Sequence, residues 1–403
     1  MADLSQHSYK WIIAAAMFPL QLAVGLNILG PAPVFPLIME DLGLTRATVS
    51  LLVAGVTMVI TLSLIPGSLI ISKLGSKRSV AIGGVLMSIG LLGIVGLNFW
   101  LLMLFRIALG LGIGLFFPGT TAIVTQWFND KDRPIINGLN FGGQGLGISI
   151  GMFASVPLAS AIGWETMLLS YSAVALVGAL IWIIVGRSAP VGATQLAPFP
   201  IQEVVNVVRE RNSIILAVST IGPFAIFIGF SSWLPTFYHE ELGMTLERSS
   251  ALVSILPTVA GILNIGAGLL LALLGLRKPL LLSAAVLFPI AALGTFAVND
   301  VGVIIASLVL LGCCFSMFII TLLTIPMELP GLSVEKVAVT TAAALTLGNL
   351  ATVVSPLLIG FITDRTGSYT NSFYVLAICS LTVLVAGILL PETGPKRKSR
   401  ISK

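Results

Sequence analysis

Twelve apolar stretches, most of them 20 residues or longer, follow one another almost without interruption through this chain of 403 residues. A hydrocarbon core about 30 Å thick is crossed by roughly 20 helical residues at about 1.5 Å each. Backbone immersed in lipid has to satisfy its own hydrogen bonds, and a helix does so within one segment. The expected fold is therefore an all-α integral membrane protein with 12 transmembrane helices, at 11–38, 47–72, 79–97, 99–127, 134–161, 166–187, 213–238, 248–274, 279–297, 301–327, 337–363 and 371–390. Polar punctuation separates them, as at Glu40-Asp41, Lys77-Arg78, Asn98, Asp130 to Arg133, Gly163-Trp164-Glu165 and Asn299-Asp300. Composition agrees: 9% of residues are charged, against about 25% in a soluble domain. The stretch beginning near Trp11 is too long for a signal peptide and lacks a clear small-residue cleavage site, so it is read as a retained helix. Gly and Pro inside many stretches predict tilts and kinks.

The charges carry the orientation. With the N-terminus placed in the cytoplasm, 17 of the 21 Lys and Arg residues fall in inner segments, three (Arg46, Arg248 and Arg365) fall outside, and Arg106 lies within a span. Such a bias is the positive-inside pattern, and both termini are expected in the cytoplasm of a cell that carries the protein in its inner membrane. The net charge of +5 thus resides in loops; no basic groove interleaved with aromatics points to nucleic acid. Cys313, Cys314 and Cys379 lie in apolar stretches, and His7 and His239 are too few for a metal cluster, so no cofactor is expected. No Ser/His/Asp set or phosphate loop stands outside the spans, which argues against an enzyme. The Gly-rich fifth stretch has no strand before it and is not a dinucleotide motif.

Self-comparison shows a duplication. Glu40-Asp41-Leu42-Gly43-Leu44-Thr45 returns 200 residues later as Glu240-Glu241-Leu242-Gly243-Met244-Thr245. At the same offset Gly75 matches Gly275, Lys77-Arg78 matches Arg277-Lys278 and Gly112 matches Gly312; Pro157-Leu158 matches Pro356-Leu357 with one residue of slippage. The expected organisation is two parallel six-helix bundles, 1–187 and 213–403, joined by a cytoplasmic linker at 188–212 whose Ile201–Arg211 part could lie as a short interfacial helix. Parallel repeats about an axis normal to the membrane enclose a site near the midplane and can rock to open it on either side. Transport is the function that geometry suggests.

The first inner loop reads Ser68-Leu-Ile-Ile-Ser72-Lys73-Leu-Gly75-Ser-Lys77-Arg78. It resembles the signature of the major facilitator superfamily between its second and third helices, G-x-x-x-D-R-x-G-R-[KR], with Ser68 in place of the first Gly and Ser72 in place of the Asp. The resemblance makes Ser72, Lys73, Gly75, Lys77 and Arg78 the gating or structural loop. A fuller match, Gly360-Phe-Ile-Thr-Asp364-Arg365-Thr-Gly367, ends the eleventh stretch on the opposite side and is read there as a helix cap and turn rather than a gate. Arg106-Ile-Ala-Leu-Gly110-Leu-Gly112 resembles the family's R-x-x-x-G-x-G motif, and Asn137 to Gly151 its Gly-rich fifth helix. The combination looks most like the branch of nitrate, cyanate and organic-anion porters. Nitrate is disfavoured, because those porters carry arginines in the second and eighth helices and these stretches have none inside them. The resemblance implies a secondary transporter, monomeric, in contact with lipid, a small anionic substrate and a coupling proton or counter-anion.

Candidate substrate residues follow from what lipid penalises. Arg106 is the one charge placed within a span, which costs about 3 kcal/mol or more. It either binds a carboxylate bidentately or hydrogen-bonds carbonyls of a neighbouring helix, holding the halves together. No acidic residue lies at mid-depth; the deepest, Glu328, sits near the end of the tenth stretch. That disfavours proton-coupled cation export and favours an anionic or neutral substrate. Gln21, Asn27, Asn140, Gln144, Asn264 and Asn349, with Thr120, Ser316 and Trp233, are the polar or aromatic groups offered to a cavity or to interhelical contacts. The competing functions are a multidrug exporter of the same fold and a non-transporting receptor or scaffold.

Overall fold

A computed structural model describes residues 2–95, 98–128, 132–187, 201–274, 277–329 and 334–393, and among them only helices and turns occur. Asp130-Lys131, most of the expected linker, Gly275 and the basic tail after Lys396 lie outside the described residues. The first half contains α1 (Ala2–Leu29), α2 (Phe35–Leu42), α3 (Arg46–Leu74), α4 (Ser76–Ser88), α5 (Phe99–Trp127), α6 (Arg133–Ile162) and α7 (Trp164–Val185). A short α8 (Ile201–Arg209) leads into the second half: α9 (Arg211–Glu240), α10 (Leu246–Val253), α11 (Ile255–Leu274), α12 (Lys278–Phe296), α13 (Val301–Glu328), α14 (Val334–Thr366), α15 (Tyr369–Cys379) and α16 (Thr382–Leu389).

Apart from the start of α1, which begins at Ala2 rather than near residue 11, the expected boundaries agree with these helices to within a few residues, and the internal breaks have local causes. The first span is interrupted by a 3-10 turn, Ala32–Val34, because Pro31 and Pro33 have no N–H to continue the α-helix. The eighth span breaks at Ser254, three residues before Pro257. The expected third span, 79–97, is not one helix: α4 is 13 residues long and passes into a 3-10 segment, Ile89–Val95. Gly90 stands in that segment, where a Cβ would lie 2.4 Å from the Ser172 hydroxyl of α7. Among the described residues, 11 helical stretches are long and apolar enough to cross a membrane.

Within the first half, α1 packs on α6 and α7, and α5 on α3 and α4; within the second, α9 packs on α14 and α16, and α13 on α11 and α12. Small residues set the closest of these approaches. A Cβ on Gly25 would lie 2.1 Å from the Gln144 carbonyl oxygen, and one on Gly147 would lie 2.1 Å from that of Leu22, so α1 and α6 touch backbone to backbone. The α3–α4 turn and its counterpart before α12 occupy one face of the molecule, with the ends of α1 and α16; this is called the terminal face below. The turns are tied down in equivalent ways. Ser76 donates to Gln126 Oε1 at the end of α5 (2.9 Å) and Trp182 Nε1 to the Lys77 carbonyl (3.0 Å). In the second half Arg277 donates from Nη2 and Nε to Glu328 at the end of α13 (2.7 and 3.1 Å), and Glu392 accepts from the backbone N–H groups of Arg277 and Lys278.

Two helix pairs make the most extensive contacts between the halves, α3 with α14 and α6 with α11. At the second crossing Gly145 and Gly261 meet, a Cβ on Gly145 being 3.2 Å from the Gly261 Cα, and the hydroxyls of Ser149 and Thr258 are hydrogen-bonded. At the first, Ser50 donates to the Pro356 carbonyl (2.9 Å), and Gly360 lies so close that a Cβ there would meet the Arg46 carbonyl oxygen at 2.7 Å.

Candidate substrate cleft between the two halves

α1 and α9 are the leading helices of the two halves, and their burial changes along their length in the same way. On α1 the exposed or half-exposed residues Trp11, Ala15, Phe18 and Leu22 make one stripe, after which every residue from 23 to 35 is buried. On α9 the stripe is Ile214, Val218, Ile221, Phe224 and Phe227, and every residue from 228 to 238 is buried. The stripes recur at three or four residues, so each occupies one helix face. α9 packs on α14 and α16 and, toward its distal end, on α10 and α15, while Phe224 and Phe227 of its stripe face Phe315 of α13. A cleft therefore opens between the halves toward the terminal face and ends about half-way through.

The opposite, distal face is closed by charge. Arg46, the first residue of α3, donates from Nη2 to Glu240 Oε2 of α9 (2.7 Å) and from Nε to Tyr369 Oη of α15 (2.7 Å); Tyr369 in turn donates to Glu240 (3.0 Å). Asp364 of α14 accepts from the backbone N–H groups of Arg46 (3.3 Å) and Ala47 (2.9 Å), two of the donors left without partners at the start of α3. The turn expected after Asp364 is present, with Gly367 at φ +67°, but the motif is more than a cap and turn for its own helix. Its carboxylate caps a helix of the other half, which makes it part of the closure and corrects the reading drawn from its position alone. A second layer lies beneath: Trp233 is fully buried, faces the rings of Phe35 and Tyr369, and donates to the Pro356 carbonyl (3.0 Å).

The candidate residues divide into two groups. Asn27, Arg106, Thr120 and Trp233 are buried and direct their donors to protein carbonyls. Arg106 donates to the carbonyls of Leu52 (2.7 Å), Asn27 (2.6 Å) and Ile28 (3.2 Å). The last two belong to the final turn of α1, where Pro31, four residues after Asn27, has no N–H to offer its carbonyl. The guanidinium caps a helix that proline has cut short. All three acceptors lie in the first half, so Arg106 does not bridge the halves. Asn27 Nδ2 donates to the Ala23 and Tyr171 carbonyls, and the Thr120 hydroxyl to that of Phe117. A small crevice beside Arg106, lined also by Asn27 and Ser172, lies inside the first half and not between the halves.

The second group stands at the apex of the cleft. Asn140 and Gln144 on α6 and Asn264 on α11 sit beside, or one turn to the terminal side of, the Gly145–Gly261 crossing; Asn264 Oδ1 accepts from Ser316 of α13 (2.8 Å). Asn140, Gln144 and Asn349 are half-buried and have no hydrogen-bond partner for their side chains among the described residues. Gln21 is buried at 3% exposure with its Oε1 unpartnered. Of the loop residues, Ser72 and Lys73 close α3, Gly75 turns at φ +80°, and Lys77 and Arg78 begin α4, in contact with the first half. Arg46, Glu240 and Tyr369, which with Asp364 latch the distal face, and the ring cluster of Phe224, Phe227 and Phe315 were not singled out from sequence as site residues. The repeat of Glu40 as Glu240 and the second copy of the loop signature were the available signals.

Comparison with known proteins places this architecture. A bacterial homologue of the human lysosomal transporter Spinster, solved inward-facing and unoccupied, superimposes with a TM-score of 0.72 at 15% identity, covering 94% of this chain and 95% of that one. A probable sulfoacetate transporter, SauU of Cupriavidus necator, is 24% identical over 90% of both chains, and the hexuronate transporter of Bacillus subtilis 22% identical over 91% of this chain and 92% of its own. The quinolone resistance protein NorA of Staphylococcus aureus is 36% identical over 27% of this chain and 28% of its own. The sequence profile of the Major Facilitator Superfamily matches residues 17–343, and the chain belongs to that superfamily of multi-pass membrane transporters.

Proposed function

We propose that this transporter carries a small organic anion across the inner membrane by rocking the halves 1–187 and 213–403 about the cleft, the linker 188–212 connecting them on the cytoplasmic side. The observation that carries the reading is the cleft itself: open toward one face, latched at the other, with an apex of amides and hydroxyls and, among the described residues, no carboxylate. Amide N–H groups donate to anions without the cost of a buried fixed charge, and a site lacking Asp or Glu has nothing to exchange against an organic cation. The similarity to sulfoacetate and hexuronate transporters along almost the whole chain supports the same class. The bias of basic residues toward the terminal face supports a cytoplasmic location for both termini. The protein acts as a monomer in this scheme, coupled to a proton or a counter-anion.

The short stretch shared with NorA favours drug export as the second reading. Purified protein reconstituted in liposomes separates the two. Counterflow of a radiolabelled mono- or dicarboxylate or sulfonate supports the anion reading. Efflux of cationic dyes without any anion flux establishes the exporter instead, and absence of both returns the chain to a receptor or scaffold role.

A further inference from the structure

The rings of Phe227 (α9) and Phe315 (α13) are stacked, centroids 4.2 Å apart and 20° from parallel, and Phe224 meets Phe315 edge-on at 5.8 Å. Stacked phenylalanines in a membrane helix bundle are ordinarily sealed in packing. Here all three are packed against the core yet only partly buried, and their remaining surface is assigned to the cleft. Polar groups flank the cluster on both sides. Phe224 lies against Gly348, where a Cβ would be 3.0 Å from its ring, and the next residue is Asn349, whose side chain has no partner among the described residues. Phe315 is followed by Ser316, bonded to Asn264.

We infer that the Phe224–Phe227–Phe315 cluster is a shelf for the substrate's apolar part, and that the preferred substrate is an organic anion carrying an aromatic or comparable flat apolar group rather than a polyhydroxylated acid. The inference rests on the organic-anion reading above. Polyhydroxylated acids need hydrogen-bond partners all round, and a wall of three phenyl groups offers none. An aromatic carboxylate places its ring edge or face on the shelf and its carboxylate toward the amide N–H groups of Asn349 and of Asn264, whose Oδ1 is already taken by Ser316. An apex of neutral donors, with no cation among its described residues, suits a single, delocalised negative charge.

The test uses the full-length purified protein and its thermal stability against benzoate, cyclohexanecarboxylate, acetate, glucuronate, sulfoacetate and neutral benzamide at equal concentrations. The expected order of stabilisation is benzoate, then cyclohexanecarboxylate, then acetate and glucuronate. Phe227→Leu, which keeps apolar volume and removes the ring, is expected to weaken benzoate roughly tenfold, the size of one aromatic contact, and leave acetate unchanged. The ranking on unaltered protein stands even if the variant does not fold. Glucuronate or sulfoacetate stabilising while benzoate does no better than acetate overturns the shelf and leaves the anion reading intact. Benzamide alone stabilising overturns the anionic substrate and the proposal as stated; no shift with any compound overturns both.

Discussion

Asp364 offers the sharpest perturbation, because its carboxylate reaches the N-terminus of a helix in the other half. Its two acceptor contacts are to the backbone N–H groups of Arg46 and Ala47, and its ion pair with Arg46 is long, 3.9 Å, with the two side chains 34% and 25% exposed. The long pair contributes little, about 0–1 kcal/mol. Hydrogen bonds to a charged group are worth about 1.5–3 kcal/mol when buried, and a charge at a helix N-terminus about 0.3–1 kcal/mol. Partial exposure, and water taking over as partner once the halves separate, reduce the total to about 1–2 kcal/mol in favour of the closed distal face. Asp364→Ala should therefore raise the population of distally open protein by a factor of about 5–30. Ser50→Cys provides the reporter: Ser50 is fully buried at the crossing and bonded to Pro356, and cysteine is nearly isosteric with it. In a background with the three native cysteines replaced, a membrane-impermeant maleimide added from the distal side labels the introduced thiol at a rate proportional to the open fraction. Equal labelling rates with and without Asp364→Ala refute the latch. Asp364→Asn should fall between the two, since an amide keeps one acceptor and loses the charge.

Arg106→Ala should lower the melting temperature and yield, by about 2–4 kcal/mol of stability, because three carbonyls lose their donor inside the first half; an unchanged melt with abolished transport would return Arg106 to the substrate site. Gly25→Val should disrupt the α1–α6 contact, where 2.1 Å to the Gln144 carbonyl leaves no room, and destabilise by about 1–3 kcal/mol or prevent folding, read by size-exclusion profile in detergent. Glu328→Gln should cost about 1–3 kcal/mol through the Arg277 pair and loosen the turn before α12, seen as faster proteolysis there, with the distal labelling rate unchanged.

Much of the architecture is legible in the residues because lipid is an exacting solvent: span positions, the duplication and the helix ends follow from length, hydropathy and proline. The third span shows the limit of that reading. Apolar content identifies a crossing but does not say that Ile89–Val95 tightens into a 3-10 segment where α7 comes close. Selecting polar groups at mid-depth picked out Asn140, Gln144, Asn264, Ser316 and Asn349, which the proposed cleft takes as its apex, and equally Asn27, Arg106 and Thr120, which are occupied within the first half. Polarity reveals that a group needs a partner; it does not reveal whether that partner is already in the protein.

The primary structure alone pointed to the solvent in which this chain folds, to its many crossings and to an internal repeat, since each is written in local hydropathy or in short matches at a single spacing. Which end of the cleft is shut, and by which side chains, was decided only in three dimensions. Arg46 and Glu240 stand 194 positions apart, and Arg46 and Asp364 318. An ion pair gains its strength from a few ångströms of separation, and separation along the chain carries no trace of it.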